Sequence, residues 1–154
     1  MEVVPYWVII PYGFVEKMVI LDFVCAASDI RIKRSSLVVA SLVGLFFTLA
    51  IRAVFSGNIF ILALSSILSV VAIIWVFTGI AKISVWIAAV ITFFIISFLE
   101  FVLYTYTFQP LLKNFNFIAT WILTGIPHIA VLFLASIFMK KVKANYATRT
   151  EETA

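Results

Sequence analysis

The residues best suited to chemistry in this sequence are a few ionisable side chains that interrupt long apolar stretches. They are Glu16, Asp22, Arg52, Glu100 and His128. Inside a lipid bilayer such a group costs roughly 2.5–3.5 kcal/mol on insertion scales, so it tends to pair with another group or to belong to a functional site. Carboxylates combined with an arginine and an imidazole could bind a charged ligand or carry protons. These side chains therefore need a scaffold that shields them from lipid.

The usual catalytic and metal-binding patterns are missing from the sequence. A single Cys and a single His exclude a cysteine-based zinc site and an intramolecular disulfide, and the five glycines form no phosphate-binding loop. Cys25 and His128 could in principle form a nucleophile and its base, but their predicted depths differ by about 10 Å at the helical rise of about 1.5 Å per residue. We therefore predict that the protein is not an enzyme and carries no cofactor or metal ion.

The composition indicates which kind of scaffold positions these residues. Of 154 residues, 65% are hydrophobic and 12% are charged, whereas soluble domains average roughly 45–50% apolar and about 25% charged residues. This composition excludes a soluble enzyme and a nucleic-acid-binding domain, although the net charge of +4 alone would suit the latter. We predict an all-α, multi-pass protein of the plasma membrane, with membrane lipid and no nucleic acid among its partners.

Five apolar segments are long enough to cross a bilayer, which takes about 20 residues. The first is ambiguous because Glu16, Lys17 and Asp22 interrupt it. Pro11 favours a regular helix that starts near that residue. We predict a single bundle over 1–139 and a basic, then polar, cytoplasmic tail over 140–154. The predicted spans are 11–28, 36–55, 58–78, 83–106 and 117–139.

The distribution of Lys and Arg predicts the orientation of these spans, since basic residues collect in cytoplasmic loops. Most of the basic residues fall on one side, namely Arg31, Lys33, Arg34, Lys82, Lys140, Lys141, Lys143 and Arg149. Arg52 and Lys113 fall toward the other side, and Lys17 lies within the first span. The N-terminus is therefore predicted outside the cell and the C-terminus in the cytoplasm.

Arg52 and Glu100 are predicted at similar depth in the outer third of the bilayer. They either pair and neutralise each other, extend to the interface, or face a ligand. Asp22 is the deepest carboxylate, and we expect it to be protonated or hydrogen-bonded. Lys17 follows Glu16 directly, so the two cannot share one face of a helix and each is expected to have a separate outlet.

His128 follows Pro127, which removes a backbone donor and predicts a kink in the last span. The imidazole either lines a cavity or is hydrogen-bonded by Thr124, one turn earlier, or by a neighbouring helix. We predict that His128 lies about 10 Å deeper than Arg52 and Glu100. The three residues are predicted to line a ligand-binding cavity that is open toward the outside.

Several short features together resemble one known family. After a first helix that contains Glu16, they are the basic turn Arg-Ile-Lys-Arg at 31–34, Phe-Leu-Glu-Phe at 98–101 and Gly-Ile-Pro-His at 125–128 before a basic exit. The chain is similar to the N-terminal membrane-embedded input region of peptide-sensing histidine kinases of the accessory-gene-regulator type in Gram-positive bacteria. The resemblance implies helices that sense an extracellular signal, often a peptide. The sequence lacks the ATP-binding motif and the phosphoacceptor His of a kinase module, so kinase activity is not implied.

Two classes of function remain. The first is a sensor-like or regulatory membrane protein that binds a peptide or amphiphile in the outer half of the bundle and signals through a partner. The second is a small accessory subunit of a larger membrane complex, or a small transporter. Ser36, Ala40 and Gly44 form a small-residue ridge that permits close helix contact within the chain or in a homo-oligomer.

Overall fold

The fold is available as a computed structural model, which describes residues 5–55, 59–103, 105 and 117–152. This part of the chain forms five α-helices: α1 (Tyr6–Ala27), α2 (Arg34–Phe55), α3 (Ile59–Thr78), α4 (Ile83–Val102) and α5 (Phe117–Glu152). The all-α prediction is confirmed for these residues. Some positions used in the sequence predictions lie outside the described residues. They are residue 58 and residues 104 and 106, at the ends of two predicted spans, and Lys113, in the loop between the last two spans.

The predicted start of the first helix is wrong. α1 begins at Tyr6, and Pro11 lies inside it. Pro5 has an extended backbone just before the helix, and its carbonyl accepts hydrogen bonds from the amides of Val8 and Ile9 at 3.0 and 3.1 Å. The first turn is thereby completed upstream of Pro11, which removes a single later backbone donor.

The last helix continues well beyond the predicted end of the fifth span at 139. α5 contains 36 residues and reaches Glu152. The segment after Met139 contains neither Gly nor Pro, and its Lys and Ala residues favour helix. The predicted basic tail is therefore a helical extension of the bundle through residue 152.

α1 lies at the centre of the bundle and contacts each of the other four helices. Leu21 and Val24 in its second half are 1% and 0% exposed. Large apolar side chains of the surrounding helices point outward instead, for example Phe46, Phe60, Phe94 and Phe138. The central position of α1 explains how it accommodates Glu16, Lys17 and Asp22, because protein rather than lipid surrounds them.

Four helices are long and apolar enough to cross a membrane. They are α2, α3, α4 and the 122–145 portion of α5. Their outward-facing apolar side chains suit contact with acyl chains, since lipid offers no hydrogen-bond partners to polar groups. The described part of the chain therefore has the helices of a multi-pass membrane protein.

α1 and α5 run in the same direction along each other. Tyr12 lies against Gly125, Asp22 binds Ser136, and the carbonyl of Ala26 binds Lys143. The contacts extend from 125 to 143 on α5, which corresponds to about 27 Å at the helical rise of about 1.5 Å per residue. The matching stretch of α1, from Tyr12 to Ala26, covers about 21 Å at the same rise, so α1 packs along α5 over most of its own length.

Gly125 permits the close approach of α5 to Tyr12. A Cβ atom built on Gly125 would overlap the hydroxyl and ring of Tyr12. We expect Gly125→Ala to lower the free energy of unfolding by about 1–3 kcal/mol, the usual cost of overpacking, because the rigid ring must leave its position. Thermal unfolding of the purified protein in lipid nanodiscs measures this change.

Removing the ring provides the control for this prediction. In a Tyr12→Ala background the obstruction is gone, and Gly125→Ala should then cost less than about 0.5 kcal/mol, because the difference between the two backgrounds measures the coupling of contacting residues. An equal cost of Gly125→Ala in both backgrounds would contradict the packing of Tyr12 on Gly125.

Candidate functional site

A cavity of about 180 Å³ lies between α1, α2, α3 and α4. Four charged side chains line it: Glu16 and Lys17 from α1, Arg52 from α2 and Glu100 from α4. Hydroxyl groups of Thr48, Ser66 and Ser97 belong to the same wall, whereas the remainder of the lining is largely apolar, including Ile20, Leu45 and Val70. The antiparallel packing of successive helices explains the cluster, because it brings the first half of α1 level with the ends of α2 and α4.

His128 of α5 lies beside the cavity and is 1% exposed. Its Nε2 atom is 3.9 Å from Oε1 of Glu16, and its Nδ1 atom is 3.5 Å from Oε1 of Glu100. Neither ring nitrogen has a hydrogen-bond partner in the part of the chain that the structure describes. The ring is therefore not hydrogen-bonded by Thr124, and it lies between two carboxylates that belong to other helices.

Arg52 and Glu100 lie near each other without a direct ion pair. Both line the first cavity and a second one of about 280 Å³ between α2, α3 and α4. Ion pairs within 4 Å among the described residues do not include this pair. The structure therefore places Arg52 and Glu100 on the same two cavities, and His128 beside them in contact with Glu100. His128 does not itself line either cavity. Its ring lies 3.5 Å from Glu100 and not about 10 Å deeper as predicted.

Glu16 and Lys17 line the cavity as well, although neither was assigned to the predicted ligand-binding set of Arg52, Glu100 and His128. Each points toward a different neighbour: Glu16 approaches His128, and the side chain of Lys17 passes over Gly44 of α2. Lys17 is only 7% exposed. The two side chains were expected to have separate environments. They instead line one cavity, whose wall includes both faces of α1 that carry them. Their unusual position in an apolar helix was the available signal.

A second polar cluster joins α1 and α5 farther along both helices, toward the C-terminal end of α1. Ser136 Oγ donates a hydrogen bond of 2.5 Å to Asp22 Oδ2, and Lys140 Nζ lies 2.6 Å from both carboxylate oxygens. Lys143 donates to the carbonyl of Ala26 at 2.7 Å and lies 3.3 Å from Asp29 Oδ1. Asp22 is therefore hydrogen-bonded as expected.

Cys25 does not belong to the cavity. It is 2% exposed and follows Glu16, the neighbour of His128, by nine residues in α1, which is about 14 Å along the helix axis. A thiol at this distance cannot be activated by the imidazole, because a nucleophile and its base must lie within hydrogen-bond reach. The groups that the site does bring together are carboxylates, an ammonium group, a guanidinium group and an imidazole, which can recognise charge and exchange protons.

Comparison of the chain with known protein families, with curated protein sequences and with solved structures found no match. The similarity to the input region of peptide-sensing histidine kinases therefore stays a prediction. Inferences about function depend on the geometry of the cavity and of the two polar clusters.

Proposed function

We propose that this chain is a non-enzymatic sensor or regulatory protein of the cell membrane, which binds a peptide or amphiphile in the charged cavity and signals through a partner protein. One observation carries the proposal: four charged side chains from three helices line one cavity, beside a buried imidazole from another helix. Ionisable groups at membrane depth are costly and accordingly tend to mark binding sites or ion pathways.

We propose further that α1 is a fifth span. Its 22 residues correspond to about 33 Å at the helical rise of about 1.5 Å per residue, which is enough to cross a hydrocarbon core of roughly 30 Å. The surrounding helices shield the charges that interrupt its sequence. The basic residues of the two short turns, at 31–34 and at Lys82, share one end of the bundle with Lys140 and Lys143. The positive-inside rule assigns this end to the cytoplasm, and the cavity then lies toward the outside.

Cysteine accessibility tests this orientation. Single cysteines introduced as Lys33→Cys, Lys82→Cys and Thr150→Cys, in a Cys25→Ser background, are expected to resist an impermeant thiol reagent in intact cells. All three should react after the membrane is permeabilised. Labelling of any of them from outside would overturn the orientation. A further variant, Glu2→Cys, tests α1 itself: labelling from outside while position 33 is protected supports the fifth span, and protection of both positions shows that α1 does not span.

The route of the signal follows from the two polar clusters. Glu16 belongs to the cavity, and Asp22, less than two turns later on the same helix, binds Ser136 and Lys140 of α5. A ligand that moves α1 relative to α5 would thus act on the helix that extends to Glu152. Such a shift between two packing states is how a ligand with different affinities for them transmits a change.

Ligand-dependent stabilisation tests the proposed binding function. The purified protein in nanodiscs is titrated with dodecylamine, dodecanoate, dodecylphosphocholine and short amphipathic peptides that are acidic, neutral or basic. A ligand at one hundred times its Kd stabilises by about 2.7 kcal/mol, so at least one probe is expected to raise the melting temperature. Arg52→Ala and Glu100→Gln should remove the effect.

Arg34→Ala is the matched control, because Arg34 is an exposed arginine at the other end of α2. It should leave the ligand response intact. If no probe stabilises the protein, or if Arg34→Ala weakens the response as much as Arg52→Ala, the cavity is not the binding site.

A small transporter is the second candidate, and the arrangement of Glu16, His128 and Glu100 favours it. An imidazole between two carboxylates can exchange protons with each of them. Proteoliposomes that contain a pH-sensitive dye distinguish the two functions. Proton flux that depends on His128 would favour transport, whereas the sensor function predicts a sealed membrane. Stable co-purification with a large membrane complex would instead favour an accessory subunit.

A further inference from the structure

The charges around the cavity are segregated by sign. Glu16 of α1 and Glu100 of α4 both line the cavity and both lie against His128, within 3.9 and 3.5 Å of its ring nitrogens. Lys17 and Arg52 lie on the side of α2: the aliphatic part of Lys17 packs over Gly44, and Arg52 follows Gly44 by eight residues, about 12 Å along the axis. The cavity therefore has an anionic side and a cationic side.

These charges do not neutralise one another by contact. Among the described residues, the ion pairs within 4 Å join no member of the anionic side to Lys17 or Arg52. Lys17 is buried, as is His128, whose two ring nitrogens have no hydrogen-bond partner among these residues. Buried charged and polar groups are normally satisfied by a partner, so the cavity presents unused hydrogen-bonding capacity of both signs.

The size of the cavity limits what can occupy it. Pockets for drug-sized ligands have volumes of about 300–1,000 Å³, whereas this cavity measures about 180 Å³. It accommodates a compact polar group with a small apolar extension, such as a small molecule, the charged end of a peptide or the head group of an amphiphile. Its walls provide both kinds of contact, since Ile20, Leu45 and Val70 adjoin the charged residues.

We infer that the cavity recognises a small zwitterion that carries an ammonium group and a carboxylate or phosphate, such as a free amino acid or an ethanolamine phosphate lipid head group. The ammonium group lies toward Glu16 and Glu100, and the anionic group lies toward Lys17 and Arg52. This inference rests on the proposed binding function and specifies the ligand class. The zwitterion supplies each side of the cavity with the opposite charge, which neither a simple cation nor a simple anion does.

A series of leucine derivatives tests the inference, because they differ in charge and little in shape. Leucine is zwitterionic, leucinamide is cationic, N-acetylleucine is anionic and N-acetylleucinamide is neutral. Binding of each compound to the wild-type protein in phosphatidylglycerol nanodiscs is measured by calorimetry. Leucine is expected to bind at least about tenfold more tightly than the other three, since a charge-assisted hydrogen bond is lost in each of them.

Two variants test the two charged ends of the zwitterion separately. Glu100→Gln should weaken the binding of leucine and leucinamide about tenfold and leave the binding of N-acetylleucine unchanged. Arg52→Gln should weaken the binding of leucine and N-acetylleucine about tenfold and leave the binding of leucinamide unchanged. Arg34→Gln, at the other end of α2, should change none of the affinities. The wild-type series alone decides the question if a variant fails to fold.

Nanodiscs that also contain phosphatidylethanolamine distinguish the sources of the zwitterion. Weaker leucine binding in these discs assigns the site to a lipid head group as well, and unchanged binding assigns it to a soluble zwitterion. Equal affinity for the four derivatives, or no binding of leucine, would overturn the inference. The proposed function would survive that outcome if an amphiphile or peptide still stabilised the protein through Arg52 and Glu100.

Discussion

Asp22→Lys is expected to separate α1 from α5 and to cause most of the protein to lose its native packing. Asp22 accepts a hydrogen bond from Ser136 and binds Lys140 at 2.6 Å, and its side chain is only 23% exposed. Removing one partner of a fully buried pair costs about 3–5 kcal/mol. Lys140 is 53% exposed, so solvent screening reduces the cost. We expect a loss of about 2–4 kcal/mol, since two ammonium groups would then face each other.

Charge exchange is the decisive control for this prediction. The double variant Asp22→Lys with Lys140→Asp restores opposite charges and should recover most of the lost stability. Asp29→Asn is the control for an exposed pair, because Asp29 contacts Lys143 of the same helix but is 81% exposed, and asparagine tolerates its left-handed backbone at φ 56°. It should cost less than about 1 kcal/mol. Circular dichroism during thermal unfolding measures all four proteins, and failure of the double variant to recover would show that the pair does not hold the helices together.

The helices themselves could largely be predicted from the sequence, because hydrophobic length and breaking residues act locally. α2, α3 and α4 begin at residues 34, 59 and 83, within two residues of the predicted starts. The start of α1 was missed because proline in an early turn was taken as a barrier, although it removes only one donor. The central position of α1 could not be predicted, since it depends on which faces of five helices meet.

The candidate site was predictable in part, because the cost of an ionisable group in lipid can also be read from the local sequence. Arg52, Glu100 and His128 were selected by their cost in lipid, and the structure brings them to one region. The sequence does not specify which carboxylates meet the imidazole. Glu16 reaches His128 through the parallel packing of α1 on α5, a pairing between residues that are far apart in the chain. Periodicity along one helix carries no information about such a pairing.

α1 links the two polar clusters, and this gives the charged residues of the helix distinct roles. Glu16 and Lys17 contribute to the cavity, whereas Asp22 attaches the helix to α5. Six residues separate Glu16 from Asp22, which is about 9 Å along the axis, so a rigid helix couples movements at the two places. An α1 helix without charges would cross a membrane more readily, and it would have neither the cavity wall nor the attachment.

The imidazole of His128 and the side chain of Leu132 should respond very differently to substitution. They lie one turn apart on the buried face of α5, and each is 1% exposed. Leu132→Ala removes packed methyl groups and leaves a void, so it should cost about 2–5 kcal/mol. His128→Leu keeps a similar volume and removes two ring nitrogens that have no hydrogen-bond partner in the described part of the chain. We expect its free energy of unfolding to stay within about 1 kcal/mol of the wild-type value, since apolar replacement of an unsatisfied polar group is nearly neutral.

Binding should show the reverse order. His128→Leu removes the polar group that lies between Glu16 and Glu100. The affinity for amphiphiles or peptides should therefore fall at least about tenfold, and these ligands should stabilise the variant less. A Leu132→Val variant, which shortens the side chain without abolishing packing, should bind as the wild-type protein does. Thermal unfolding with and without ligand measures both quantities on the same samples. If His128→Leu proved as unstable as Leu132→Ala, the imidazole would serve packing of the core, and its position beside the cavity would no longer support a role in ligand binding.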